Sequence, residues 1–130
     1  MLDQSTVEAN IPAADLDRAR EFYSDSLGLT LVAEYGGAAL RYQTARGTYF
    51  NIYQTQYAGQ AGHTIAQWHV DDVDKEVRDL RGKGVVFEVY DMPGVEWNDQ
   101  VATIPGMGRS AWFKDSEGNI MCLDEVVPRS

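Results

Sequence analysis

An internal repeat constrains the fold of this 130-residue chain more than any other feature. The segment Asp15-Leu16-Asp17-Arg18 recurs 57 residues later as Asp72-Val73-Asp74-Lys75. A second match has an offset of 71 residues and joins Gly47…Asn51-Ile52 to Gly118…Cys122-Leu123. Two mixed segments can be aligned by chance, but both copies also share the order strand, helix, glycine, strand. We therefore interpret the chain as a duplication, with a 14-residue insertion in the second copy.

The periodicity of apolar residues predicts the elements of the first copy. The predicted strands are Thr6–Ile11, Leu29–Tyr35, Ala39–Thr44 and Thr48–Thr55. Between the first two, a helix begins at Asp15, whose carboxylate can accept the free N–H groups of the first turn, and ends at Gly28. Its apolar stripe consists of Leu16, Ala19, Phe22, Tyr23 and Leu27.

The same order begins again after the Gly-, Ala- and Gln-rich segment 56–62. Predicted strands are Thr64–Val70, Val85–Tyr90, Arg109–Lys114 and Asn119–Glu125, with a helix that begins at Asp72. We interpret residues 91–108 as a long loop with a short strand near Val101–Ile104. The expected organisation is one domain over residues 1–130, with modules at 1–58 and 63–130.

Charge and composition exclude several partners. The 11 Lys and Arg against 20 Asp and Glu give a net charge of −9, which argues against nucleic acid or an anionic membrane surface. The N-terminus lacks the pattern of a secretory signal, and no apolar run is long enough for a membrane span. Because Cys122 is the single cysteine, we expect a cytoplasmic protein without an internal disulfide.

Two motifs resemble those of a known family. The segment Asp15–Tyr23 followed by Leu27-Gly28-Leu29 resembles the first-helix signature of the glyoxalase/bleomycin resistance protein/dioxygenase superfamily, also called vicinal oxygen chelate. Lys114-Asp115-Ser116-Glu117-Gly118-Asn119 resembles its final hairpin, although Ser116 replaces the usual proline and Glu117 the usual aspartate. The resemblance implies an α+β fold in which two βαβββ modules form a cupped mixed sheet around a central cavity. It also implies that homodimers are common.

Strand alternation then assigns side chains to the ligand side of the sheet. The helices cover the other side, and the residues predicted to face them are Ala9, Ile11, Ala13, Phe50, Ile52, Ala66, Trp68, Val70, Ala111, Phe113 and Leu123. The candidate ligand-binding residues are Glu8, Asn10, Tyr49, Asn51, Tyr53, Gln67, His69, Trp112 and Cys122.

Many members of this superfamily hold a divalent metal with four strand residues. The resemblance places those ligands at Glu8, Asn51, Ile65 and Cys122. Ile65 has no donor atom, and the remaining three do not match a usual zinc or hard-metal site. His63 and His69 lie about 20 Å apart on an extended strand, too far to share an ion. We therefore expect no metal and no other cofactor.

Glu8 and His69 are the candidate catalytic residues. In an apolar cup the pKa of Glu8 is expected to rise unless an arginine pairs with it, which would suit a general base or a counter-charge for a cationic ligand. His69 ends a strand beside two aspartates and suits a general base or a hydrogen-bond donor. The alternative is that both are ordinary surface residues.

Tyr49, Tyr53 and Trp112, with Tyr57 and Trp97 in flanking loops, are candidates to stack on a flat ligand. Cys122 is interpreted as a buried, inert thiol rather than a nucleophile. The 91–108 loop is either a lid, a dimer contact or a plain insertion.

These features favour a metal-independent protein that binds a hydrophobic or aromatic small molecule, with a cationic ligand as a further option. The alternative is a glyoxalase-like lyase, isomerase or dioxygenase that uses a metal or proton transfer by Glu8 or His69. A third hypothesis is an interaction module with no small ligand. The acidic surface would steer a basic ligand, or it serves solubility alone.

Overall fold

The first half of the protein forms one four-stranded sheet. The computed structural model describes residues 1–106 and 108–126. The elements of this half are β1 (Ala9–Ala13), helix α1 (Leu16–Glu21), a π-helical continuation (Phe22–Ser26), β2 (Thr30–Tyr35), β3 (Ala39–Gln43) and β4 (Tyr49–Gln54). The strand order is β1-β4-β3-β2, with β1 parallel to β4 and the other pairs antiparallel. The sequence predicted the first strand at Thr6–Ile11, whereas β1 begins three residues later and ends two residues later, closer to α1.

The second half repeats this plan in a six-stranded sheet. Its elements are β5 (Thr64–His69), helix α2 (Val73–Gly82), β6 (Phe87–Glu88), β7 (Glu96–Asn98), β8 (Val101–Ile104), β9 (Gly108–Lys114) and β10 (Ile120–Val126). The order is β5-β10-β9-β8-β7, with β6 also paired to β9. β5 and β10 are parallel, as β1 and β4 are. The predicted α+β class is confirmed.

Both helices begin at the predicted aspartates. Asp15 accepts a hydrogen bond from the amide of Arg18, and Asp72 accepts one from the amide of Lys75, each at 3.1 Å. An aspartate in this position satisfies an amide that has no partner within the helix and places negative charge at the positive end of the helix dipole. The repeated motif is thus a repeated helix start.

The insertion in the second half is a hairpin rather than a plain loop. The chain leaves the edge of β9 after Glu88, which pairs with Trp112, and returns at Ala102, which pairs with Ser110. Between these points β7 pairs with β8. The predicted strand near Val101–Ile104 is confirmed and the one at Val85–Tyr90 shortens to two residues. β7 was not predicted, because its three residues are too few to show an alternating pattern.

The core lies between the helices and the outer faces of the two sheets. Most of the strand residues predicted for it are buried: Ile11, Ala13, Phe50, Ile52, Ala111, Phe113 and Leu123. Ala66, Trp68 and Val70 are half-buried, and Ala9 is exposed because it is the first residue of the edge strand β1. Aromatic rings join the two halves there. Trp68 stands edge-on to Phe50 of the first sheet at 6.2 Å between centroids and tilts against Phe113 of the second at 6.3 Å. The halves therefore share one apolar interior.

The β9–β10 turn reaches across to the start of α1. The side chain of Glu117 is fully buried, and one of its oxygens accepts the amides of Ala14 and Asp15, both at 2.9 Å. The other oxygen accepts Arg18 Nε at 2.8 Å. Burial raises the pKa of Glu117, but the hydrogen bonds from Arg18, Asp15 and Ser116 outweigh it, so that the pKa is lowered. A residue of the second half thus completes the helix start of the first.

A second contact from the same turn is also buried. The hydroxyl of Tyr23 donates to Asp115 Oδ2 at 2.5 Å, and Asn119 Nδ2 donates to the carbonyl of Pro12 at 2.8 Å. Asp115 also accepts the amides of Glu117 and Asn119, which shapes the turn. Burial and the neighbouring carboxylate raise the pKa of Tyr23 well above its usual value, so its hydroxyl stays protonated as the donor.

Candidate functional site

The face of each sheet opposite the helices is called the inner face here. Strand register places Asn10, Asn51 and Arg41 side by side on that face of the first sheet. In the second sheet, Gln67, Cys122 and Trp112 form one such row, and His69, Asp124 and Ser110 form the next. The nine candidate ligand-binding residues therefore divide into two groups. The first sheet and the residue before β1 carry Glu8, Asn10, Tyr49, Asn51 and Tyr53, and the second sheet carries Gln67, His69, Trp112 and Cys122.

Glu8 is held in a charge pair with Arg41. Arg41 Nη2 lies 2.6 Å from one carboxylate oxygen, and its Nε lies 3.3 Å from the other. Asn51 Nδ2 adds a hydrogen bond at 3.1 Å, and the guanidinium lies 4.1 Å from the centroid of the Tyr49 ring. The hydrogen bond from Arg41 lowers the pKa of Glu8 against the opposing effect of burial. The pKa of Glu8 therefore does not rise, because an arginine pairs with the carboxylate. The carboxylate stays ionised and is a weak base.

The four positions of the family metal site do not fit a metal in this chain. The carboxylate of Glu8 is occupied by a guanidinium, and Ile65 offers no donor atom. Burial, assisted by the charge of Asp124, raises the pKa of Cys122 to about 11 in spite of a hydrogen bond with Ser110, so the thiol is protonated at neutral pH. Within residues 1–106 and 108–126, no three His, Cys, Asp or Glu side chains are grouped to hold an ion.

Asp124 is the centre of the polar group on the second inner face. It is buried, and its oxygens lie 3.2 Å from Gln67 Nε2, 3.3 Å from Ser110 Oγ and 3.3 Å from His69 Nδ1. Among the described residues no Lys or Arg lies within 4 Å of it. His69, by contrast, has 73% of its side chain exposed. Asp124 was missed in the sequence, although it lies two residues beyond Cys122 and so shares its face.

An aromatic wall flanks this polar group. The Trp112 ring lies 6.0 Å from Trp97 of β7 and 6.1 Å from Tyr90, which stands edge-on at 81°. The Tyr90 hydroxyl donates to Glu88 Oε2 at 3.0 Å. Burial, together with that carboxylate, raises the pKa of Tyr90 to about 12, so the phenol stays neutral. The insertion therefore supplies an aromatic side chain to the inner face, whereas Tyr57 is exposed outside this wall.

Comparison with known proteins identifies the same fold elsewhere. A family model described as Glyoxalase/Bleomycin resistance protein/Dioxygenase superfamily matches residues 5–123. The search of curated proteins finds no match. No helix among the described residues is long and apolar enough to cross a bilayer.

Several solved structures are similar over nearly the whole chain. TnmS3, an antibiotic binding protein from Streptomyces sp. CB03234, is 23% identical with a TM-score of 0.70, covering 95% of this chain and 97% of its own. Lactoylglutathione lyase from Agrobacterium tumefaciens is 20% identical with a TM-score of 0.66, covering 93% of each chain. The fosfomycin resistance protein FosX from Listeria monocytogenes, complexed with Mn(II) and sulfate, is 15% identical with a TM-score of 0.69, covering 95% and 90%. These likenesses concern the fold.

Proposed function

The chain belongs to the glyoxalase/bleomycin resistance protein/dioxygenase superfamily, and from this premise we propose that it binds a small aromatic molecule without a metal. The ligand lies on the inner faces of the sheets, where the aromatic wall of Trp112, Trp97 and Tyr90 stacks on it. That wall is the single observation that carries the proposal. The antibiotic-binding neighbour is consistent with a binding role for this fold.

Asp124 provides the preference for a cationic ligand in this proposal. Its register places it diagonal to Trp112, a separation of about 7–8 Å that one flat ligand can span. Its partners are an amide, a hydroxyl and an exposed imidazole, so its charge is not cancelled by a guanidinium as that of Glu8 is. A cationic ring therefore gains both stacking and a counter-charge. The net charge of −9 adds long-range attraction.

The proposal is tested by fluorescence titration with three ring-matched probes: N-methylquinolinium, quinoline and naphthalene-1-sulfonate. Quenching reports on the inner face because Trp97 and Trp112 are two of the three tryptophans. We expect the cation to bind best and Trp112→Leu to weaken all binding about tenfold, near 1.4 kcal/mol. Asp124→Asn should weaken the cation alone, about fivefold.

Trp68→Phe is the matched control. Trp68 packs on the outer faces against Phe50 and Phe113, so its replacement removes a fluorophore and leaves the affinities unchanged. Equal affinity of wild type and Trp112→Leu for quinoline would refute the aromatic site. Equal loss of all three probes in Asp124→Asn would refute the counter-charge.

One observation favours an enzyme as the second candidate. His69 Nδ1 faces Asp124, so its exposed ring can present Nε2 to a substrate as a base, oriented by the carboxylate. That candidate predicts turnover of an activated substrate such as the methylglyoxal–glutathione adduct, and the turnover rate should fall at least tenfold in His69→Gln.

A metal-dependent enzyme instead predicts a rise in Tm with Mn²⁺, Ni²⁺ or Zn²⁺ that Glu8→Ala abolishes. The binding protein predicts neither result.

We also propose that the protein is a homodimer in the cytoplasm. Tyr35 and Tyr53 are 52% and 41% exposed and share an inner-face row of the first sheet across Ala39. A second copy placed over this face would cover them and close the ligand site. A molar mass near 29 kDa, twice the 14.5 kDa of one chain, is expected by light scattering, and a monomer at all concentrations would oppose it.

A further inference from the structure

A histidine and a buried carboxylate meet where the second inner face opens to solvent. His69 Nδ1 lies 3.3 Å from Asp124 Oδ2, the oxygen that also accepts a hydrogen bond from Gln67 Nε2 at 3.2 Å. The side chain of Asp124 is 12% exposed, whereas that of His69 is 73% exposed. A ligand can therefore reach the carboxylate, and the imidazole lies at the side from which the ligand approaches.

The neighbours of this pair on β9 and β10 carry no positive charge. Cys122 of β10 stays a neutral thiol, because burial raises its pKa to about 11. Ser110 of β9 lies opposite the aspartate and is uncharged. Asp71 and Asp72 follow β5, and the carboxylate of Asp72 is used as the cap of α2. These two residues add negative charge at this end of the strand.

Charged groups farther along the sheet are paired among themselves. Lys114 shares the inner face of β9 but lies four residues from Ser110, about 13 Å away, and its ammonium is 3.8 Å from Glu88. Arg109 and Glu125 lie on the opposite face of the sheet and pair with each other at 3.2 Å. Among the described residues, the group placed to cancel the charge of the aspartate is therefore the imidazole.

We propose that His69 determines which ligand charge the inner face accepts, an inference that rests on the aromatic-binding function proposed above. With a neutral imidazole, the pair carries the single negative charge of Asp124, which attracts a cationic ring. With a protonated imidazole, the charges of the pair sum to zero. A cationic ring then loses its counter-charge, whereas an uncharged ring still stacks on the aromatic wall as before.

This arrangement makes binding of a cation depend on pH. Histidine is the side chain that ordinarily changes charge between pH 5 and pH 8. The affinity for a cation should therefore fall as the pH falls through this range, because the proton and the ligand compete for one carboxylate. The imidazole is largely in solvent, which screens the pair, so we expect a loss of about three- to fivefold. By reciprocity, cation binding releases protons, at most about 0.4 per ligand for a fivefold effect.

Calorimetric titration at pH 8 and pH 5.5 tests the proposal with two rings. N-methylquinolinium is a cation at every pH, and 1-naphthalenemethanol is a ring system of the same size that stays uncharged. In wild type the cation should bind about three- to fivefold more weakly at pH 5.5, and the affinity for the uncharged ring should change less than 1.5-fold. Titrations in two buffers of different ionisation enthalpy measure the protons released.

Three variants assign the effect. His69→Gln should abolish the pH dependence, and Asp124→Asn should bind the cation weakly and equally at both pH values. His63→Gln is the matched control, because His63 is the other histidine of the chain, is exposed, and contacts the carbonyl of Thr64. It should keep the wild-type pH profile and proton release.

The remaining outcomes contradict the proposal in different ways. A pH profile of His69→Gln that equals that of wild type, or an equal loss of pH dependence in His63→Gln, would refute the role of His69. Parallel pH dependence of both rings would also refute it, since a change in counter-charge affects the cation alone. Cation binding that does not vary with pH overturns this inference and leaves the proposed function intact. Failure of both rings to bind at either pH overturns both.

Discussion

Replacement of Glu117 tests how strongly the two halves depend on each other. Glu117→Ala leaves the amides of Ala14 and Asp15 without acceptors and removes both hydrogen bonds to Arg18. The two amides lie on exposed residues, so water replaces part of the loss, and we assign about 1 kcal/mol to each. Arg18 is 53% exposed, so solvent screening keeps the loss of its ion pair small. The expected loss in the free energy of unfolding, set by the two amides, is about 2 kcal/mol.

The ionisation of Glu117 should also make the free energy of unfolding depend on pH. Because the pKa of Glu117 in the folded protein lies below the ordinary value of 4.5, the ionised carboxylate stabilises the fold above that pH. This stabilisation is lost as the pH falls through the lowered pKa. Glu117→Gln keeps an oxygen for the amides but removes the charge. It should therefore cost about 1 kcal/mol at pH 7 and leave stability flatter between about pH 5 and pH 3 than in wild type.

Urea unfolding followed by tryptophan fluorescence and by circular dichroism measures both effects at pH 7, 5 and 3. Glu21→Gln is the matched control, because Glu21 is an exposed residue of α1 and its loss should change stability by less than about 0.5 kcal/mol. A loss below about 1 kcal/mol in Glu117→Ala would refute the reasoning. So would a pH profile of Glu117→Gln that parallels wild type.

Two further predictions concern close packing. Cys122 is buried with a pKa of about 11, so Ellman's reagent at pH 8 should label it only in urea, and rapid labelling of the native protein would contradict this. Gly59→Ala should cost about 2 kcal/mol in the same urea assay, because φ is +75° and the new Cβ would lie 2.6 Å from the Glu117 carbonyl. Gly37→Ala, which meets nothing within 4 Å, should be neutral, and equal losses in the two variants would contradict the packing argument.

The predictable parts of the fold are those encoded locally. Asp15 and Asp72 could be placed at helix starts because the acceptor and the amide it serves are three residues apart. Strand alternation separated core from inner face correctly at Phe50 and Leu123, since side chains alternate regardless of which strands pair. The difference between the two repeat offsets indicated the size of the insertion, and the weak periodicity after Tyr90 indicated its position.

The contacts that the sequence did not predict depend on how strands and turns far apart in the chain are brought together. Nothing near Glu8 in the sequence indicates that Arg41, 33 residues away, neutralises it. The role of Glu117 is similar, because the turn motif shows a hairpin and not what the side chain reaches. The binding roles of Glu8, Asn10, Tyr49, Asn51, Tyr53, Gln67, His69, Trp112 and Cys122 remain predictions for the titrations above.

The cap that Glu117 places over the start of α1 has a consequence for the order in which the protein is made. The amide of Ala14 is synthesised 103 residues before the carboxylate of Glu117 that accepts its hydrogen bond. At about 5–20 residues per second, that helix start waits roughly 5–20 s for its partner. During this interval the nascent first half also lacks Phe113, against which Phe22 packs. A rare-codon pause before residue 115 would lengthen the exposure, so the yield of native protein should depend on the translation speed of the codons that precede that residue.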